Sequence, residues 1–209
     1  MEQPLLFLLK TIPEYAALTE AIRAGQNAAV TGVGQINRSH MIAGLRRDAG
    51  RPIVVLCQDD MAARRTQEEL SCFLGETAPI LPGRDLTFYD AAVVSRSWEQ
   101  KRLRQLYDLS AGNTPIQIMT WESMSLRTLP PHVLNAASFT LETGKEYALD
   151  DLTARLTAAG YSRCSMVEGP GQFALRGDIL DVYSPGEAMP VRCEFFGDEL
   201  DAMGFFDPT

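Results

Sequence analysis

At Leu129-Pro-Pro131 the pattern of this chain changes, and that change limits its folds more than any other feature. Before it, helical and apolar stretches alternate. Residues 13–24 have helical spacing with Pro13 in the first turn. Ala28–Thr31 reads as a strand, 35–47 as a helix, and Ile53-Val-Val-Leu-Cys57 as a strand. A helix from Asp59 or Asp60 to Phe73 follows, then a helix over Trp98–Leu109, a strand over Ile116–Met119 and a short helix near 121–127. Strands alternating with helices at this spacing predict a parallel sheet covered on both faces. After the double proline come a strand at 138–142 and a helix at 149–159. Short strands then crowd together at 161–167, 172–176, 178–183, 191–196 and 200–206. The expected class is α/β: a parallel-sheet domain over 1–135, then a smaller α+β domain rich in antiparallel strands over 136–209.

The first strand runs into Thr31-Gly-Val-Gly-Gln-Ile-Asn-Arg-Ser39, laid out like a phosphate-binding loop. In the pattern G-x-x-x-x-G-K-[ST], Gly32 opens the loop, Asn37 stands at the second glycine, Arg38 at the lysine, and Ser39 keeps the hydroxyl. Asn37 would suit only if its backbone took a positive φ, and arginine exchanges a compact ammonium for a bulky fork. The strand at 116–119 ends in Thr-Trp-Glu122, without an acidic pair for Mg²⁺. Asp59 and Asp60, which end the other strand, serve equally as a helix cap. The loop reads as the relic of a nucleotide site.

Charge separates the two halves. Residues 1–135 carry 14 basic and 14 acidic side chains, whereas 136–209 carry 5 and 13. An acidic segment repels phosphate backbones, so direct nucleic-acid binding by that half is disfavoured. Cys57, Cys72, Cys164 and Cys193 are scattered singly, and His40 and His132 have no ligand-like neighbours, so neither disulfide nor metal is expected. The opening MEQPLLFLLK lacks a basic start and a cleavage site, and no apolar run is long enough to span a membrane. A cytoplasmic protein is the expectation.

The second half carries the sharper signal, in YSRCSMVEGPGQFALRGDILDVYSP over 161–185. Glu168-Gly-Pro-Gly171 predicts a turn that pairs 161–167 with 172–177 as an antiparallel hairpin. In that register Cys164 faces Leu175 and Met166 faces Phe173 on an apolar side. Ser165 faces Ala174 and Arg163 faces Arg176 on the other. Like charges directly opposite are destabilising. Two readings fit: acidic residues of the same segment neutralise both arginines, or the pair receives an acidic surface of another protein, a role in which arginine is favoured. Of Phe195-Phe196 and Phe205-Phe206, alternation places one member of each pair inside.

Phe173-Ala-Leu-Arg-Gly-Asp-Ile-Leu-Asp-Val-Tyr183, with Gly160-Tyr-Ser-Arg163 before it and Glu194-Phe-Phe-Gly-Asp-Glu-Leu-Asp-Ala-Met-Gly-Phe-Phe-Asp207 after it, resembles the N-terminal module of the bacterial transcription-repair coupling factors (Mfd). That module is itself similar to the start of the excision-repair protein UvrB. The likeness takes in nearly the whole chain, including Leu81–Asp90 and Lys101–Leu109. It implies a degenerate helicase-like nucleotide fold, then a domain that binds the damage-recognition ATPase UvrA. Arg163 and Arg176 match two arginines by which UvrB contacts UvrA, a third falls at Ala174, and Ser165 and Gln172 lie beside them. The implied function is a non-catalytic module, itself free of cofactors, that recruits UvrA to stalled RNA polymerase. Polymerase and DNA contacts, and the ATP and Mg²⁺ of an ATP-dependent translocase, would belong to other parts of a longer protein. The rival is a nucleotide-binding ATPase or helicase domain of a UvrB-like repair protein. UvrB, however, has an intact phosphate loop and a long aromatic β-hairpin that are not visible in this sequence.

Overall fold

The structure is a computed structural model that describes residues 4–83 and 96–208. In chain order its elements are α1 (Pro4–Leu8), a 3₁₀ turn (Leu9–Thr11), α2 (Pro13–Arg23), α3 (Gln35–Ala49), β1 (Ile53–Cys57), α4 (Asp60–Leu74), α5 (Arg96–Ser110), β2 (Ile116–Thr120), α6 (Trp121–Ser125), α7 (Pro131–Ala137), α8 (Leu149–Ala158), β3 (Ser162–Arg163), β4 (Gln172–Arg176), β5 (Ile179–Tyr183), β6 (Val191–Phe196) and β7 (Glu199–Phe205). They fall into two compact units. One takes the described residues of 1–86 and 111–127, the other those of 87–110 and 128–209. Helix α5 therefore groups with the C-terminal strands. Of Leu81–Asp90, only the first three residues lie within the described structure.

Local chemistry fixes the helix ends of the first unit. Pro13 starts α2, where its missing N–H costs nothing. The Asp59 carboxylate accepts the Ala62 N–H (2.8 Å) to cap α4, and Gly75, at φ +72°, closes it in the left-handed region. Strands β1 and β2 pair in parallel from Ile53↔Ile116 to Cys57↔Thr120, and Ile80 adds a bridge to Ile118. Every residue of β2 is buried, and Ile116 and Ile118 pack with Leu70, Ala63, Ala43, Leu9 and Tyr15.

Two expectations for this unit fail. Ala28–Thr31 is not a strand, and all four of its residues are exposed. Two alanines and one valine bury too little apolar area to offset the cost of ordering them at a sheet edge. Among the described residues the sheet is also not covered on both faces, because Val54 and Leu56 of β1 are 52% and 46% exposed.

The second unit is a five-stranded sheet in the order β3-β4-β5-β6-β7, antiparallel from β4 to β7. One face packs Phe173, Leu180, Cys193, Phe195 and Leu200 against Leu152 and Leu156 of α8. Each such buried side chain contributes about 1.5–3 kcal/mol through lost water contact. Helix α5 is tied to this unit by Gln100 Nε2, which donates to the Pro170 carbonyl (2.6 Å), and by Arg104, which pairs with Glu187 (2.5 Å). The strand expected at 138–142 is absent. Phe139 and Leu141 still pack on the core from an irregular segment, and Arg155 lies over the Phe139 ring at 4.1 Å.

Candidate partner-docking face

Alternation along β4 divides its side chains between two sides. Phe173 and Leu175 face the α8 core, so Gln172, Ala174 and Arg176 lie on the opposite face. The antiparallel register continues that second face across the sheet. Ala174 pairs with Asp181, Asp181 with Arg192, and Arg192 with Gly204. Cross-strand partners share a face. Asp181, in the middle of the apolar strand Ile179–Tyr183, thus sits between two strands that each supply an arginine.

The contacts are close. Arg192 donates through Nε to Asp181 Oδ1 (2.7 Å) and through Nη2 to Oδ2 (2.9 Å), a bidentate fork. Arg176 Nη2 donates to Oδ2 at 2.6 Å. The Asp181 side chain is 1% exposed, that of Arg176 50% and that of Arg192 35%. Burial works against the Asp181 charge, but hydrogen bonds and Coulomb attraction from Arg192 and Arg176 outweigh it and hold the carboxyl below its ordinary range. The Asp181 hydrogen bond in turn raises the Arg192 guanidinium. The Phe206 ring stacks on Arg192, with the guanidinium carbon 4.5 Å from its centroid.

The expected hairpin does not form. Strand β3 runs parallel to β4, with Ser162 paired to Gln172 and Arg163 to Phe173. Ser162 N–H donates to the Gly171 carbonyl and Cys164 N–H to that of Phe173. The reason lies in the connecting loop. Gln172 Oε1 accepts the Glu168 and Gly169 N–H groups (2.8 and 3.1 Å), and Val167 is buried at 1% exposure. A side-chain closure takes the place of a hairpin ladder, and the chain re-enters the sheet in the same direction. The opposed pairs Arg163–Arg176, Ser165–Ala174, Cys164–Leu175 and Met166–Phe173 therefore do not exist, and Met166, expected in the core, is 52% exposed.

The anticipated residues accordingly divide. Arg163 and Ser165 are exposed, Arg163 on edge strand β3 and Ser165 in the loop that follows. Gln172 closes that loop, and Ala174, 1% exposed, presents no surface. Arg176 alone of the five combines exposure with a fixed polar anchor. Asp181, Arg192 and Phe206 were missed. A lone carboxylate between Leu180 and Val182 is itself a signal, since a buried charge demands a cation. Of the aromatic pairs, Phe195 is buried and Phe196 is 84% exposed, as alternation requires. Phe205 is 66% exposed and Phe206 half-buried, so neither member of that pair lies inside.

In the other unit, the glycine loop makes no phosphate cradle of the expected length. Gly32 takes φ +75°, Gly34 already caps α3, and Asn37 lies within the helix, so its positive φ is not needed. Arg38 Nε turns back to the Val33 carbonyl (3.1 Å), and the buried Ser39 hydroxyl donates to Glu69 Oε2 (2.7 Å). Among the described residues no cluster of three or more His, Cys, Asp or Glu could hold a metal ion, and no helix is long and apolar enough to cross a membrane.

Residues 139–209 match the UvrB interaction domain. Over 202 residues, 93% of this chain and 17% of the relative, the sequence is 32% identical to a transcription-repair-coupling factor of Myxococcus xanthus. Its identity to the transcription-repair-coupling factor of Bacillus subtilis is 27%, over 95% of this chain and 17% of the relative. To UvrABC system protein B of Chlorobium limicola it is 26%, over 91% of this chain and 30% of that protein. The chain thus spans 17% of the length of the coupling factors that it matches.

Proposed function

Since residues 139–209 match the UvrB interaction domain in a chain similar over 93% of its length to a transcription-repair-coupling factor, we propose that this chain is a non-catalytic module that recruits UvrA to DNA damage at stalled RNA polymerase. UvrA docks on the sheet face opposite α8, with Arg176 at its centre, and reaches Arg163 only around the open edge of β3, since Arg163 pairs with Phe173 and so lies on the α8 side. The observation that carries this reading is Arg176 itself: half-exposed, yet held by a carboxylate that is 1% exposed. Such an arginine keeps donors for a partner and has already lost much of its rotamer freedom.

The first unit serves this reading as a degenerate nucleotide fold. The loop has no lysine, Arg38 is spent on its own loop and Ser39 on Glu69. The module works without ATP or Mg²⁺, which belong to the translocase part of a longer protein. Other parts of that protein contact polymerase and DNA, and it acts in the bacterial cytoplasm.

Calorimetric titration with purified UvrA tests the proposal. Arg176→Ala costs about 2–5 kcal/mol of binding if its partner carboxylate is desolvated, and Arg163→Ala costs less, as an edge charge. Folding changes little, since Arg192 still holds both Asp181 oxygens. Full binding by the Arg176→Ala variant would refute the assignment.

A further inference from the structure

We propose that Asp181 is a positioning residue that turns the docking face into a two-arginine clamp, so that UvrA inserts an acidic group against Arg176 and Arg192 together. This rests on the reading above and extends its face from β4 across β6 to Phe206. Three features of the site carry it. The Asp181 carboxylate is buried, and its two oxygens take three guanidinium hydrogen bonds from different strands. Two cations thereby share one anion at a surface that leaves 50% and 35% of their side chains open. Finally, the Phe206 ring lies over Arg192, with the guanidinium carbon 4.5 Å from its centroid, and limits where that side chain can go.

The arrangement is wasteful for stability alone. Arg192 already satisfies Asp181 bidentately, and a second exposed arginine on the same carboxylate adds little. It is well suited to binding. Arg176 directs one donor at Asp181 and has others available, and two pre-oriented guanidiniums present a planar, fork-like surface to an incoming carboxylate. Glu194, two residues along β6 and on the same face, attracts Arg192 through Coulomb interaction but is exposed and makes no ion pair within 4 Å among the described residues. The clamp therefore works through oriented guanidinium donors rather than through net charge. Fixed arginines hold a bound group longer, whereas free ones attract it equally well.

That distinction supplies the test. Asp181→Asn removes the anchor and raises the net positive charge of the face by one. Association kinetics of the full chain with UvrA, at two salt concentrations, should show an unchanged or faster on-rate and an off-rate raised about tenfold. General unfolding would instead lower the active fraction without speeding dissociation. Arg192→Lys keeps the charge but loses the fork, and its off-rate should rise about three- to tenfold. Should Asp181→Asn fail to fold, Arg192→Lys and Phe206→Leu decide alone. A folded Asp181→Asn with an unchanged off-rate, or unchanged off-rates for both Arg192→Lys and Phe206→Leu, overturns the clamp. Arg176→Ala, run beside them, separates the two levels. If it alone loses binding, the docking face stands and the clamp falls; if it too binds fully, both fall.

Discussion

Asp48 in α3 ties together the N-terminal elements of the first unit, and its removal should be felt in acid and at neutral pH differently. Tyr15 Oη of α2 donates to its Oδ2 (3.0 Å), Arg47 donates to both oxygens (2.8 and 2.9 Å), and Lys10 lies 3.5 Å away. The carboxylate is 8% exposed. Chiefly through the Arg47 hydrogen bond, its pKa falls from 3.8 to about 2. A carboxyl depressed that far stabilises the folded state by about 2 kcal/mol at neutral pH. Because the folded value is the lower one, this stability is present above about 3.8 and is lost as pH falls through about 2. Asp48→Asn keeps the shape but not the charge. Urea unfolding followed by circular dichroism should find the variant about 2 kcal/mol less stable at pH 7, with the gap closing between pH 4 and pH 2. Equal stabilities at pH 7, or a gap that persists undiminished at pH 2, would refute the electrostatic origin of the tie.

Three further outcomes are expected. Gly44→Ala should destabilise the first unit by about 1–3 kcal/mol, against a helix-propensity gain of about 1 kcal/mol. The new Cβ would lie 2.4 Å from Leu9 Cδ1 and 2.6 Å from Tyr15 Oη, and a melting temperature measures the balance. Exposed Cys72 should react first with a thiol reagent, whereas buried Cys57 and Cys193 react only on unfolding. Burial pushes the Cys193 thiol up to about 11, and a mass measurement without reductant should show four free thiols. Calorimetry with Mg²⁺-ATP should give no binding heat; micromolar binding abolished by Arg38→Ala would revive the nucleotide-site alternative.

Elements with dense local signals were legible in the sequence. The Asp59 cap and amphipathic run gave α4, the compact apolar run Ile53-Val-Val-Leu-Cys57 gave β1, and Ile116-Gln-Ile-Met119 gave β2. The sheet from β4 to β7 followed from short apolar alternation. Pairing was harder, because a turn motif is local and strand direction is not. Glu168-Gly-Pro-Gly171 does turn the chain, but the Gln172 side chain and buried Val167 set how far, and neither contact is visible to a spacing rule. The wrong register placed Arg176 against Arg163 and concealed its true partner five residues on. The same error hid Arg192, since only the β5–β6 pairing brings it to Asp181.

Amide hydrogen exchange of the full chain with and without saturating UvrA tests the central claim most directly, because it reads the docking face without any substitution. Protection should rise at 172–183 and 191–196, the strands that carry Arg176, Asp181 and Arg192, and stay unchanged at 32–39. Protection confined to the glycine loop and the rest of the first unit, or none at all with UvrA at saturation, would contradict the account.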